Sequence, residues 1–168
     1  TALGHQTIPS IVFNGVNYLV VWQDRRNGAD DIYGARVTQS GVILDPDGIA
    51  ISTASGDQNH PLVVSDSVNC LVVWDDRRDG LSDIYGARVD QCGTVLDPTG
   101  IAISTAASNQ WNPSIAFDGT NYLVVWHDFR NGPGPSSSWD IYGARIDQSG
   151  NVLDPDGIAV STASSIQQ

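Results

Sequence analysis

Tyr18-Leu-Val-Val-Trp22-Gln-Asp24-Arg-Arg26-Asn-Gly28, followed by Asp31-Ile-Tyr-Gly-Ala-Arg36, is the stretch from which the rest of the chain can be read. Tyr18 to Gln23 is an almost unbroken apolar run, which predicts a strand covered on both faces. Asp24 to Gly28 has the residue types of a loop, and Ile32 to Val37 runs back as a second strand. On the N-terminal side, Ser10 to Phe13 is joined to the apolar run by Asn14-Gly15, a tight-hairpin signal. Beyond Arg36, Ser40-Gly41 turns the chain into a last segment, Val42 to Ser52, which Asp45-Pro46-Asp47-Gly48 interrupts with turn residues. Thr53 to His60 reads as an irregular link. The unit is therefore four short antiparallel strands.

The unit occurs three times. Trp22, Trp74 and Trp126 are 52 residues apart, as are Pro9, Pro61 and Pro113. The third copy carries five extra residues between Gly132 and Asp140, within Pro133 to Trp139, and an insertion tolerated there predicts a surface loop. Four strands per period of this length, with aromatics in register, predict an all-β protein of three β-propeller-type blades, because the rungs of a β-solenoid are shorter. The expected boundaries are 1–52, 53–104 and 105–161, with 162–168 starting a link towards a next blade.

Composition agrees with this reading. The 168 residues carry 19 acidic and 8 basic side chains, a formal charge of -11 and a pI near 4.2. Every acid is Asp and every base is Arg, so the good helix formers Glu, Lys and Met are all absent. A hydrophobic content of 40% supplies a core and argues against disorder. The acidic surplus excludes a nucleic-acid partner, which would need clustered basic residues. No apolar run approaches the roughly 20 residues of a membrane span, so no membrane insertion is expected. The missing Lys, the missing initiator Met and the absence of a leader point to a trimmed piece of a secreted, extracellular or cell-surface precursor. Cys70 stands where the other copies have Tyr18 and Tyr122, and Cys92 where they have Ser40 and Ser149, so both are expected as free thiols.

The phrase Tyr-Leu-Val-Val-Trp-x-Asp-x-Arg-x-Gly, then Asp-Ile-Tyr-Gly-Ala-Arg, resembles blades of large secreted bacterial proteins of the sialidase-like, Asp-box-like propeller type, over all three repeats. The resemblance implies blade architecture and leaves activity open, since such blades occur in glycosidases, lectins and passive scaffolds alike.

Propellers close with four to eight blades, so three leave apolar outer faces on the first and third. Copies of the chain itself are the expected partner, in a six-bladed ring of two chains, in a longer array, or in a filament. Carbohydrate is a second candidate partner.

The recurrent polar constellation is Asp24, Arg26, Asp31 and Arg36, repeated as Asp76, Arg78, Asp83, Arg88 and as Asp128, Arg130, Asp140, Arg145. It reads as a structural network of Arg forked onto Asp and backbone carbonyls. The rival reading is a calcium site on Asp24, Asp31, Asp76, Asp83, Asp128 and Asp140, since hard oxygen ligands on a Gly-containing loop suit that ion. Trp22, Trp74 and Trp126 are expected in the core. Trp111 and Trp139 break the repeat and are the candidate anchors for a carbohydrate or a neighbouring subunit. His5, His60 and His127 occupy three different phases and are expected in surface or packing roles. A sialidase needs a Tyr nucleophile activated by an acid, normally Glu, yet Glu is absent and Arg36, Arg88 and Arg145 recur one per blade. The expectation is therefore no enzyme, but a non-enzymatic, self-associating structural or adhesive protein. A lectin assembled as a six-bladed dimer is the first alternative, and a fragment of a sialidase-like glycosidase is the second.

Overall fold

The computed structural model describes residues 4–131 and 139–162. Strands β1 (Gln6–Phe13), β2 (Tyr18–Asp24), β3 (Asp31–Val37) and β4 (Ile49–Ser52) form the first antiparallel sheet in chain order. The second sheet is β5 (Gln58–Ser65), β6 (Asn69–Asp76), β7 (Asp83–Asp90) and β8 (Ile101–Ser104). The third is β9 (Gln110–Phe117), β10 (Asn121–Asp128), β11 (Asp140–Asp147) and β12 (Ile158–Ser161). The fold is all-β, three four-stranded antiparallel blades, with no helix among the described residues.

The inner strands β1, β5 and β9 touch one another in sequence, so the sheets radiate from a shared edge. Blade packs on blade through two cores. Leu19 and Val21 of β2 meet Cys70, Val72 and Trp74 of β6, and Leu71 and Val73 of β6 meet Tyr122, Val124 and Trp126 of β10. Because successive side chains point to opposite faces, β6 serves both cores at once, and this is why the run reads as continuously apolar. Gly34, Gly86 and Gly143 allow the tight stacking. A Cβ on Gly34 would lie 3.0 Å from the Val20 carbonyl oxygen and from the Ile51 side chain.

The inner strands differ from their sequence reading. β5 starts at Gln58, inside the stretch expected to be an irregular link, because Gln58 N–H donates to the Asp30 carbonyl of the preceding blade at 2.6 Å. Its side-chain amide also donates to the carbonyls of Ala54, Ser55 and Gly56, so it ties the link down. Gln110 repeats the arrangement one blade on. Each inner strand is then bulged before its Pro, and Ile8, His60 and Asn112 sit at φ 52°, 53° and 52°. A left-handed conformation is costly for a β-branched residue such as Ile8, and the bulge re-aims the neighbouring side chains at this rim. Of the segment expected at Val42 to Ser52, only Ile49–Ser52 is strand, with Ile43 making a single bridge to Val37. Cys70 is buried, Cys92 is exposed, and both are free.

Candidate functional site

The second strand of each blade ends in the same device. Asp24 is buried and accepts from Trp22 Nε1 at 2.8 Å, from the Arg26 backbone N–H at 2.9 Å and from Arg26 Nη2 at 2.6 Å. The two-residue period of a strand puts Trp22 and Asp24 on one face. The Arg26 guanidinium lies 3.9 Å over the Tyr33 ring and its Nη1 donates to the Asp47 carbonyl. Burial pushes the Asp24 carboxyl up, but Arg26 and Trp22 outweigh it and hold the carboxyl down at about 2. Asp76 with Trp74 and Arg78, and Asp128 with Trp126 and Arg130, repeat the geometry.

Arg36 belongs to a separate network. It makes a two-pronged pair with Asp45, nine residues on, at 2.9 and 2.8 Å, and its Nη1 crosses to the Gln91 carbonyl of the next blade at 3.3 Å. Arg88 does the same with Asp97 and the Gln148 carbonyl, and Arg145 pairs with Asp154. Asp31 and Asp140 each accept from an Asn side chain, Asn27 and Asn131, at 2.9 Å. Asp83 faces Asp79 instead, and burial together with the Asp79 and Asp76 charges pushes it up to about 6. The oxygens of Asp24, Asp76 and Asp128 that a calcium ion would use accept indole and guanidinium donors. Among the described residues no group of three or more His, Cys or carboxylate side chains is placed to hold a metal.

The rim where β1, β5 and β9 begin holds something different. A cavity of about 460 Å³ opens there, between Arg25 and Asp30 of the first blade, Asp57, Asn59, His60, Asp75 and Arg77 of the second, and Trp111 and Asn112 of the third. Arg25 grips both oxygens of Asp30, at 2.7 and 2.8 Å. His60 Nδ1 lies 2.9 Å from Asp75 Oδ1. Asp75 is buried, and that burial pushes its carboxyl above the ordinary range, with His60 only partly offsetting it. Trp111 stacks on Trp139 at 5.0 Å between ring centroids, and Trp139 on Phe129 at 4.9 Å. A smaller cavity of about 360 Å³ shares Arg25 and Asp30 and adds His5, Thr7 and Gln23.

The lining residues occupy six positions of the repeat. Five of them carry three different residues: His5, Asp57, Asn109; Thr7, Asn59, Trp111; Ile8, His60, Asn112; Gln23, Asp75, His127; and Asp30, Ser82, Trp139. The sixth reads Arg25, Arg77, Phe129. Most other positions keep one residue in at least two copies, although Leu3, Ser55, Ala107 and Val42, Thr94, Asn151 also differ throughout, so three-way divergence is concentrated at this rim. It is polar and charged in the first two blades and aromatic in the third.

The structure thus separates the candidate residues. Trp111 and Trp139, 28 positions apart in the chain, are brought together beside the cavity, whereas the recurrent Asp and Arg residues are spread one set per blade. Gly132 to Ser138, most of the inserted stretch, lies outside the described residues. Sequence reasoning missed His60, Asp75, Asp30 and Arg77. His60 was assigned to surface or packing because it falls out of phase with His5 and His127. That criterion looks for a repeated site, and this one is built by blades doing different things. The signal that could have found it was the list of repeat positions at which the three copies disagree.

No protein-family model matches the sequence, and no curated protein sequence matches it. Solved structures do. A glycosyl hydrolase from Bacteroides ovatus superposes with a TM-score of 0.56 at 10% identity, over 95% of this chain and 52% of that one. The catalytic domain of a Coprinopsis cinerea alpha-L-arabinofuranosidase gives 0.55 at 11%, over 96% and 52%. A Bacillus subtilis arabinanase gives 0.55 at 18%, over 95% and 60%. At such identity the likeness is one of fold, and the chain spans about half the length of these neighbours. It nevertheless corrects two expectations, that the chain is not an enzyme and that its role is structural or adhesive. The arrangement of blades is the one these glycoside hydrolases use, and the sequence argument rested on absent Glu and on Arg residues that lie away from the cavity.

Proposed function

We propose that this chain supplies half of a carbohydrate-acting propeller, of glycoside hydrolase type, whose site is the asymmetric rim. The observation that carries the reading is the concentration of three-way repeat divergence at the lining of one cavity. Asp75 is the general acid: its burial favours the protonated form, and His60 fixes its orientation. Asp30, gripped by Arg25, is the second carboxylate of the pair that glycoside hydrolysis requires. Trp111 and Trp139 form the platform against which a sugar ring packs. The absence of Lys and the acidic surface support a setting outside the cell.

The repeat itself provides the controls. The first blade has Gln23 at the position of Asp75 and the third has Asn112 at the position of His60. Asp75→Gln is therefore expected to fold at least as well as the parent while abolishing hydrolysis in a panel of chromogenic glycosides and plant and microbial polysaccharides. Activity in the parent should fall as pH rises through the raised Asp75 value, because the acid must carry its proton. A folded parent that cleaves nothing in the panel, or an Asp75→Gln variant with unchanged kcat, overturns the proposal.

A further inference from the structure

The two open faces of the molecule are the two halves of an interface it already makes twice. Leu19, Leu71 and Leu123 are equivalent positions, and the first two are buried against a following blade while Leu123 is 42% exposed. Ile51 and Ile103 are 2% exposed, but their equivalent Val160 is 57% exposed. On the opposite side, Cys70 and Tyr122 are buried against a preceding blade and Tyr18 is 38% exposed. The third blade thus presents the surface that receives a next blade, and the first presents the surface that such a blade carries.

Polar groups match in the same way. Arg36 and Arg88 each send Nη1 to a Gln carbonyl in the next blade, Gln91 and Gln148, and the equivalent residue of the first blade is Gln39. Arg145, whose place is equivalent to theirs, is 50% exposed against 19% and 18%, with no fourth blade among the described residues. Tyr122 donates its hydroxyl to Asp66 Oδ2 of the preceding blade at 2.7 Å, and the equivalents left over are Tyr18 and Asp118. Gly93 and Gly150 pack against the preceding blade's Arg, where a Cβ would lie 2.8 and 2.9 Å from Nε, while Gly41 has nothing within 4 Å.

We infer that a second copy of this chain covers both faces, with the first blade of each copy docked on the third blade of the other, so that two copies close a six-bladed ring. Arg145 of one copy then donates to the Gln39 carbonyl of the second copy, and Tyr18 of the second copy to Asp118 of the first. The open faces continue an interface already built inside the molecule, and neighbours of the same fold use about twice this length of chain. Closure also completes the rim, since it brings Trp139, Phe129 and His127 of one copy beside His5, Thr7 and Gln23 of the other. The inference does not depend on the chemistry of the cavity, so it and the hydrolase reading fail separately.

Sedimentation velocity and light scattering on the 168-residue chain test it, with twice the 17.9 kDa chain mass expected. Tyr18→Arg and Leu123→Asp each damage both contacts of the ring and are expected to give folded monomers, with native circular dichroism. An equimolar mixture of the two retains one undamaged contact and should recover the dimer. Tyr18→Phe, which removes one hydroxyl from each of the two contacts, should weaken dimerisation at least about a hundredfold, as for two hydrogen bonds to charged groups. A monomeric parent, an open-ended ladder of larger species, or single variants that stay dimeric would each overturn the inference.

Discussion

Replacing Asp79 with Asn should stabilise the protein near neutral pH, and the structure says by how much and at which pH the gain disappears. In the first and third blades an Asn side chain donates to the buried carboxylate that opens the third strand, Asn27 to Asp31 and Asn131 to Asp140, both at 2.9 Å. The second blade has Asp79 there, so Asp83 loses a donor and gains a like charge, and its carboxyl sits at about 6 in place of the ordinary 3.8. A shift of two units is worth roughly 3 kcal/mol at full strength. Burial, which the substitution leaves in place, is its largest cause, and solvent at the loop screens the remainder, so about 1 kcal/mol is the expected gain. The sign follows from linkage. A carboxyl raised above its unfolded value contributes fully below about pH 4 and loses that contribution as pH rises through about 6. Urea unfolding of parent and Asp79→Asn on both sides of this window should therefore show the variant ahead near pH 7 and the two converging below about pH 4. A gain of equal size at both ends, or no gain near neutrality, would refute the reasoning.

Three further outcomes follow from the same geometry. Asp45→Asn leaves the Arg36 guanidinium and its bridge to the next blade half-paired, which should cost about 2 kcal/mol in urea unfolding. Because Arg36 holds the Asp45 carboxyl below its ordinary value, the parent loses this contribution as pH falls below the usual carboxylate range, and the variant should lack that part of the acid limb. Trp74→Phe removes the Nε1 donor to Asp76 from a fully buried site and should cost about 2–3 kcal/mol, with the thermal midpoint as readout. Trp139→Ala, on a ring 45% exposed, should leave the midpoint unchanged while raising KM for any glycan the parent cleaves.

What could be read from the sequence divides along physical lines. The four strands of each sheet and the buried Trp74 and Trp126 follow from hydrophobic period and turn chemistry, which act locally and repeat three times. The partner of Arg36 was not legible, because Asp45 reads as the first residue of a Pro-Gly turn and only the folded-back chain shows it reaching the guanidinium. The start of β5 is not legible because Gln58 and Asn59 carry no strand signal, and their extended form is imposed by Asp30 of the preceding blade and by pairing with Asp75 and Asp76 of their own. Trp111 and Trp139 were found as breaks in the repeat, but their stacking depends on a rim that no local pattern describes.

That rim also explains why fold and chemistry are written at different positions of one repeat. A residue facing a neighbouring blade meets the same surface in each copy, so Leu19 and Leu71 are held to one identity by packing. A residue at the mouth of the inner strands meets solvent or a ligand, and packing places no such demand on it. Drift alone would fill those places with whatever is harmless. A buried carboxylate is not harmless, since taking Asp75 out of water disfavours its charged form, and the first blade shows that the fold accepts Gln23 there without any charge. The second blade therefore carries an electrostatic burden that the architecture does not require, in a cavity that Trp111 also lines. A desolvation cost that the fold does not require, beside one cavity, is what the proposed general acid would need.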